Sequence, residues 1–461
     1  MKYRTEKDSL GEVKVPADKY WGAQTQRSLQ NFKIGNDLIP LEIIHAFAIQ
    51  KKAAAISNIT LNKLDEKIGK TILDVCDEII SGKLNDHFPL SVWQTGSGTQ
   101  TNMNLNEVIA NRANELLKGN EKRSSVKFVH PNDHCNLGQS SNDSFPTVVH
   151  IAIVQETYKK LIPALKIFKE VLEKKEIEFK DIIKIGRTHL QDATPISLGQ
   201  EFSAFKSQIR NSILRVESSL KEIFFLAQGG TAVGTGLNSS NDFSKAFIKA
   251  IQVITNKPFK KSINQFESLS SHDSIVYFSG ALNSTITACY KISNDIRLLA
   301  SGPRCGIGEL ELPANEPGSS IMPGKINPTQ CEAMAQVCIY LLGNHFSISM
   351  AGSQGHMQLN ANKTVIAYSI IQSINLLSDS INSFVKNCIK GIKPNKKRIN
   401  ENLENSLMLV TALNPIIGYD KSAEIAKKAF KENITLKESA KRLGYVEENE
   451  FSKFVDPKKM I

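Results

Sequence analysis

Residues 275–299 read IVYFSGALNSTITACYKISNDIRLL, and their apolar positions Ile275, Phe278, Leu282, Ile286, Cys289, Ile292, Ile296 and Leu299 recur at spacings of three and four. That rhythm keeps one apolar stripe on one face of a helix, and a stripe this long needs partner helices to cover it. Upstream, Ile151, Val154, Tyr158, Leu161, Leu165, Phe168 and Leu172 follow the same spacing, as do Phe202, Phe205, Ile209, Ile213, Val216, Leu220 and Ile223. Downstream it returns in Cys331, Met334, Cys338, Leu341, His345 and Ile348, then in Ile366, Ile370, Ile374, Leu377, Ile381, Phe384 and Cys388. Five amphipathic segments joined by glycine-rich or polar connections predict a mainly α chain built on an elongated helix bundle. Pro163 predicts a kink or break in the first, because proline has no amide proton. His345 sits on a core stripe and reads as a packing residue.

The flanks differ from this centre. Residues 1–138 mix helical stretches with turn-rich segments such as PADKYWG and HPNDH, and predict a mixed, mainly helical domain. Residues 139–393 form the central bundle. Glycine and proline at Gly391-Ile392-Lys393-Pro394 mark its end, and 394–461 read as a small helical domain. Strictly alternating β-branched runs are rare, so little sheet is expected.

The 461 residues carry 57 Lys plus Arg against 46 Asp plus Glu, a net charge of +11. The excess admits an acidic partner or a lysine-rich solvated surface. The densest basic cluster, Lys386, Lys390, Lys393, Lys396, Lys397 and Arg398, has no interleaved aromatics and argues against nucleic acid. Seven scattered cysteines without a CxxC pair suit free thiols in a reducing cytosol. The start MKYRTEKDSLGEV lacks the apolar core of a signal peptide, and no run approaches about 18 apolar residues. A cytoplasmic protein without membrane spans is expected.

Chemistry belongs in the segments too polar for a core: WQTGSGTQTNMNLNEV (93–108), HPNDHCNLGQSSND (130–143), GRTHLQDATP (186–195), GGTAVGTGLN (229–238) and GSSIMPGKINPTQCEA (318–333). Each places hydroxyls, amides or a histidine beside glycine, as suits an anionic ligand; each alone also suits a linker. GGTAVGTGLN lacks the GK[ST] ending of a phosphate loop and follows a helical pattern. Dispersed histidines without HExxH give no metal set, and no GxSxG elbow is present.

The block GSSIMPGKINPTQCEA resembles the signature of the fumarase/aspartase superfamily, and the likeness runs from RTEKDSLGEVKVPADKYWGAQTQRS to SLMLVTALNPIIGYDKSAEIAKKA. Within it the chain is similar to the class II, iron-independent fumarate hydratases. GRTHLQDA carries His189 where aspartases have glutamine, and MPGKINPTQCE (322–332) and TGSGTQTNMN follow the same side. The resemblance implies a three-domain fold whose long helices form the core of a homotetramer, with each active site shared between three subunits. It implies reversible hydration of fumarate to (S)-malate in the tricarboxylic acid cycle, without cofactor or metal. It places Ser319 as the base for the carbon-bound proton, with His189 the alternative for that step and Glu332 its partner. Ser97, Gly98, Thr99, Ser140, Ser141, Asn142, Thr188, Ser320, Lys325, Ile326 and Asn327 would hold substrate. His130, Pro131, Asn132 and Asp133 match a second dicarboxylate site.

An aspartate ammonia-lyase and a non-catalytic structural relative are the alternatives; the intact set His189, Ser319, Lys325, Asn327 and Glu332 argues against the latter. The chain departs from the pattern at GHMQLNANKT (355–364), where relatives show a GNFELNVF-like stretch.

Overall fold

The computed structural model describes residues 2–118 and 128–461. Strands among them are confined to four two-stranded sheets, and helices make the rest of the frame. The five apolar stripes fold as Ser141–Glu178, Leu198–Ile223, Asp273–Leu299, Thr329–Ser353 and Lys363–Asn387. Pro163 does not break the first of these. The helix Ser141–Glu156 widens into a π turn over Thr157–Leu161 and resumes as Ile162–Glu178. A proline ring collides with the carbonyl four residues back in an α-helix, and a wider turn just before it relieves that clash.

The chain divides into two compact units. One comprises Met1–Pro163, Leu214–Ile286 and Ile339–Ser378. At its centre Leu41–Thr60 buries Ile43, Ile44, Phe47, Ala48 and Ala54, and packs on Glu66–Ile80, Ser141–Glu156 and Asn241–Thr255. Phe47 meets Phe145 edge-on at 5.8 Å between ring centroids; burying each such side chain contributes about 2–3 kcal/mol. The helix Thr99–Lys118 is fixed by buried Glu107, whose carboxylate accepts from Gly22 N, Gln24 N and Thr25 Oγ1. Those bonds satisfy the free amides at the start of Ala23–Asn31, where Gly22 has no side chain to cap with. A hairpin, Tyr3–Asp8 with Gly11–Pro16, begins the unit.

The other unit comprises Ala164–Ile213, Thr287–Cys338 and Asp379–Ile461. Phe179, Phe202 and Phe205 stack edge to face in its core. The stretch GRTHLQDATP, whose composition suggests a polar linker, is the tip of a hairpin, Ile183–Thr188 with Gln191–Ser197. It packs on Lys396–Asn405 and Leu407–Leu413. Asn395 caps Lys396–Asn405 through Arg398 N, just after the glycine–proline punctuation near residue 391. Beyond it, Leu409, Leu413, Ile425, Ala429, Ala440 and Phe451 close a core of their own. Among the described residues no helix is long and apolar enough to cross a membrane. All seven cysteines are free, and only Cys305 is exposed.

Candidate active site

In the first unit two helix starts lie side by side. TGSGT leads into Thr99–Lys118 through Gly98, whose φ is 76° and whose Cβ would fall 2.1 Å from the Phe145 ring. Only glycine fits that bend. Ser97 Oγ lies 2.8 Å from Thr99 Oγ1. Ser140 caps the second helix in a reciprocal box with Asp143, leaving Ser141 and Asn142 in its first turn. Asn102 joins the two segments, donating from Nδ2 to Ser141 Oγ at 3.0 Å. Helix N-termini with free amides and hydroxyls favour a carboxylate. Asn142 Nδ2 is already given to Ala232 O at 2.8 Å, which ties this segment to the glycine-rich 229–238 loop.

A buried polar layer supports these starts. Lys51, 1% exposed, donates to Asn136 Oδ1 and Gln139 Oε1 at 3.0 and 2.9 Å. Burial pushes its ammonium down to about 7. Asp143 Oδ2 accepts from Gly229 N, Thr231 N and Gln228 Nε2. Desolvation raises its carboxyl against those donors. His130, Pro131, Asn132 and Asp133 form one exposed turn, in which His130 Nδ1 accepts from the amides of Asn132 and Asp133 and lies 3.1 Å from Asp133 Oδ2.

In the second unit His189 stands at a hairpin tip. Thr188 pairs with Gln191, so His189 and Leu190 are the whole turn, with φ of 56° and 61°. Thr188, His189 and Leu190 are exposed. The strand beneath is held by a buried ionic cluster. Glu309, fully buried, binds Arg187 Nη2 at 2.8 Å, Lys184 Nζ at 3.1 Å and Asn402 Nδ2 at 3.1 Å. Burial alone would raise the Glu309 carboxyl, but Arg187 and Lys184 hold it below the ordinary carboxylate range.

Ser319 lies in the same unit on a loop pinched at its neck. Gly318 N donates to Lys325 O at 3.0 Å, and Asn327 Nδ2 donates to Gly318 O at 2.5 Å. Ser319 Oγ accepts from Ile321 N and Met322 N at 3.3 and 3.1 Å. The next helix starts only at Thr329, so neither Ser319 nor Ser320 caps it. Ser320, Lys325 and Ile326 are exposed around an open cavity of about 510 Å³ that Ser319 and Lys325 help line. Glu332 is exposed in the first turn of Thr329–Ser353, and no hydrogen bond or ion pair among the described residues joins it to His189.

Asn102, Lys51, Asp143, Lys363 and Glu309 are supporting residues that sequence reading did not single out. A buried charge in a polar run leaves no local signal, since its partners are up to 221 residues away, as for Lys363 and Asn142.

Known proteins resemble this chain over its whole length. A family model described as Lyase matches residues 11–343, and one described as Fumarase C C-terminus matches residues 409–461. "Fumarate hydratase class II" of Rickettsia felis is 57% identical, covering 100% of this chain and 99% of its own. "Fumarate hydratase class II 2" of Bradyrhizobium diazoefficiens is 56% identical over 99% of this chain and 96% of its own. The crystal structure of recombinant class II fumarase from Schistosoma mansoni superposes with a TM-score of 0.97 at 45% identity, covering 100% of this chain and 99% of that one. This chain therefore belongs to the class II fumarate hydratases of the lyase family.

Proposed function

We propose that the chain hydrates fumarate reversibly to (S)-malate, with Ser319, His189 and Glu332 as its acid–base set. It is a fumarate hydratase, a carbon–oxygen lyase, and full-length identity of 56–57% to relatives of that name is the observation that carries this conclusion. When malate is dehydrated, the reverse of hydration, the difficult step removes a weakly acidic proton beside a carboxylate, leaving extra charge on that carboxylate. Donors preorganised for that charge are commonly worth about a hundred- to a thousandfold each. Lys325 and Asn327 take this role, one as a charge and one as an amide donor.

A serine hydroxyl is a poor base unless its alkoxide is stabilised. The amides of Ile321 and Met322, both directed at Ser319 Oγ, favour the charged form, and Lys325 on the same loop adds a positive charge. That supports Ser319 as the carbon base. His189 then protonates the departing hydroxyl or orients the attacking water, a contribution of about a hundred- to ten-thousandfold. Ser97, Gly98, Thr99, Ser140, Ser141, Asn142, Thr188, Ser320 and Ile326 bind the dicarboxylate. The turn from His130 to Asp133 is a second, non-catalytic site.

The active form is a homotetramer whose sites draw on three subunits. Exposed His189 and Glu332, unjoined within the protomer, fit a site that other copies complete. Ile339, Leu342, Phe346 and Met350 support it too, as an exposed apolar stripe on Thr329–Ser353. The three-region division at 138 and 393 assigns that helix to the tetramer core, and the place of work is the cytoplasm. Loss of fumarate's ultraviolet absorbance, followed with and without ammonium, tests the activity. Turnover in plain buffer is expected; strict dependence on ammonium would make the chain an ammonia-lyase instead.

A further inference from the structure

We propose that Lys363 is a positioning residue that sets the spacing between the TGSGT and Ser140–Asn142 segments; the inference rests on the substrate-binding role given to them above. Lys363 is the first residue of Lys363–Asn387 and is 1% exposed. Its backbone N–H donates to Gly96 O at 2.9 Å. Its Nζ donates to Asn142 O at 3.0 Å. One residue thus grips both segments from behind, one with its backbone and the other with its side chain.

The chain leading into it fits closely. A Cβ on Gly96 would lie 1.3 Å from Ala361 O, so the two backbones are in direct contact. Asn360 is buried and anchors the approach, donating from Nδ2 to Ala351 O at 2.9 Å and to Gln354 O. Its Oδ1 accepts from Asn362 N at 2.8 Å. Ala361 and Lys363, within the 355–364 stretch that departs from the family pattern, therefore back the TGSGT turn.

Stability alone argues against a lysine here. An ammonium in the first turn of a helix faces the positive end of the helix dipole. Its burial is costly as well. Desolvation pushes Lys363 down to about 7, with the buried carboxylate of Asp143 opposing. Methionine would fill the space without either penalty. Lysine instead adds a donor that reaches a distant carbonyl, Asn142 O, behind the place where a dianion docks.

The test is Lys363→Met in the full-length assembled enzyme, with KM and kcat for fumarate and the inhibition constant of succinate measured beside the parent. KM and the succinate constant should rise together by roughly tenfold while kcat stays within about threefold, the pattern of lost uniform binding. A lower melting temperature with both constants unchanged would overturn the proposal, as would a fall in kcat alone. Should Lys363→Met fail to assemble, Lys363→Gln keeps one donor and most of the volume. It must then raise both constants at least about threefold, and unchanged constants overturn the proposal. A parent enzyme without fumarate turnover removes the functional reading and this inference with it. A turning-over parent with an indifferent variant removes this inference alone.

Discussion

His189 and Leu190 occupy turn positions where asparagine and glycine are the usual residues, because both need positive φ. Each non-glycine residue held there costs about 1–2 kcal/mol. The hairpin keeps that strain and thereby carries the imidazole clear of its own surface. Asparagine tolerates the same backbone, so His189→Asn should keep the hairpin and melt no lower than the parent. Its turnover should fall at least about a hundredfold, read from fumarate absorbance beside a thermal melt; near-parental turnover would remove His189 from the mechanism. Gly98 has no such freedom. Gly98→Ala forces a methyl into the Phe145 ring at positive φ. It should cost about 2 kcal/mol or more, visible in urea unfolding, and raise KM. The sequence shows that glycine alternates with threonine or serine at 95–99, but not that a ring 47 positions on makes one glycine obligatory.

At the scale of elements, the stripes were legible because a helix reads itself out every three or four residues. The hairpin of 183–197 was not: its strands are short, and its tip has the composition of a linker. Nor was the cluster beneath it, since Arg187 and Glu309 are 122 residues apart. Motif resemblance nominated Ser319, His189 and Asn327, whereas the two amides directed at Ser319 Oγ follow from how its loop closes. Glu309 is the element-scale test. Glu309→Gln leaves Lys184 and Arg187 without their shared carboxylate. A broken buried pair costs about 3–5 kcal/mol. Urea unfolding should show that loss, together with lower kcat as the histidine hairpin loosens; a change under about 1 kcal/mol would mean that the cluster contributes little.

For the whole molecule, pH sets one limit. Burial lowers His150 to about 4 and His272 well below its ordinary value, so both are neutral when folded. The unfolded chain protonates them near 6.5. Their contribution is therefore complete above about pH 6.5 and is lost as pH falls from there toward 4. The melting temperature should drop between pH 7 and pH 5, and His150→Gln should flatten that drop; an equal slope in both proteins would exclude His150 as a cause. Assembly sets the other limit. Light scattering should give four times the chain mass of 51.0 kDa. Phe346→Asp should lower that mass and abolish turnover together. The stripe from Ile339 to Met350 also has a consequence for how the enzyme is made. In the proposed tetramer other copies cover it, so a newly synthesised chain would carry it bare and recovery from denaturant should be second order in protein. Yield should pass through an optimum, limited by scarcity of partners at high dilution and by indiscriminate sticking at high concentration.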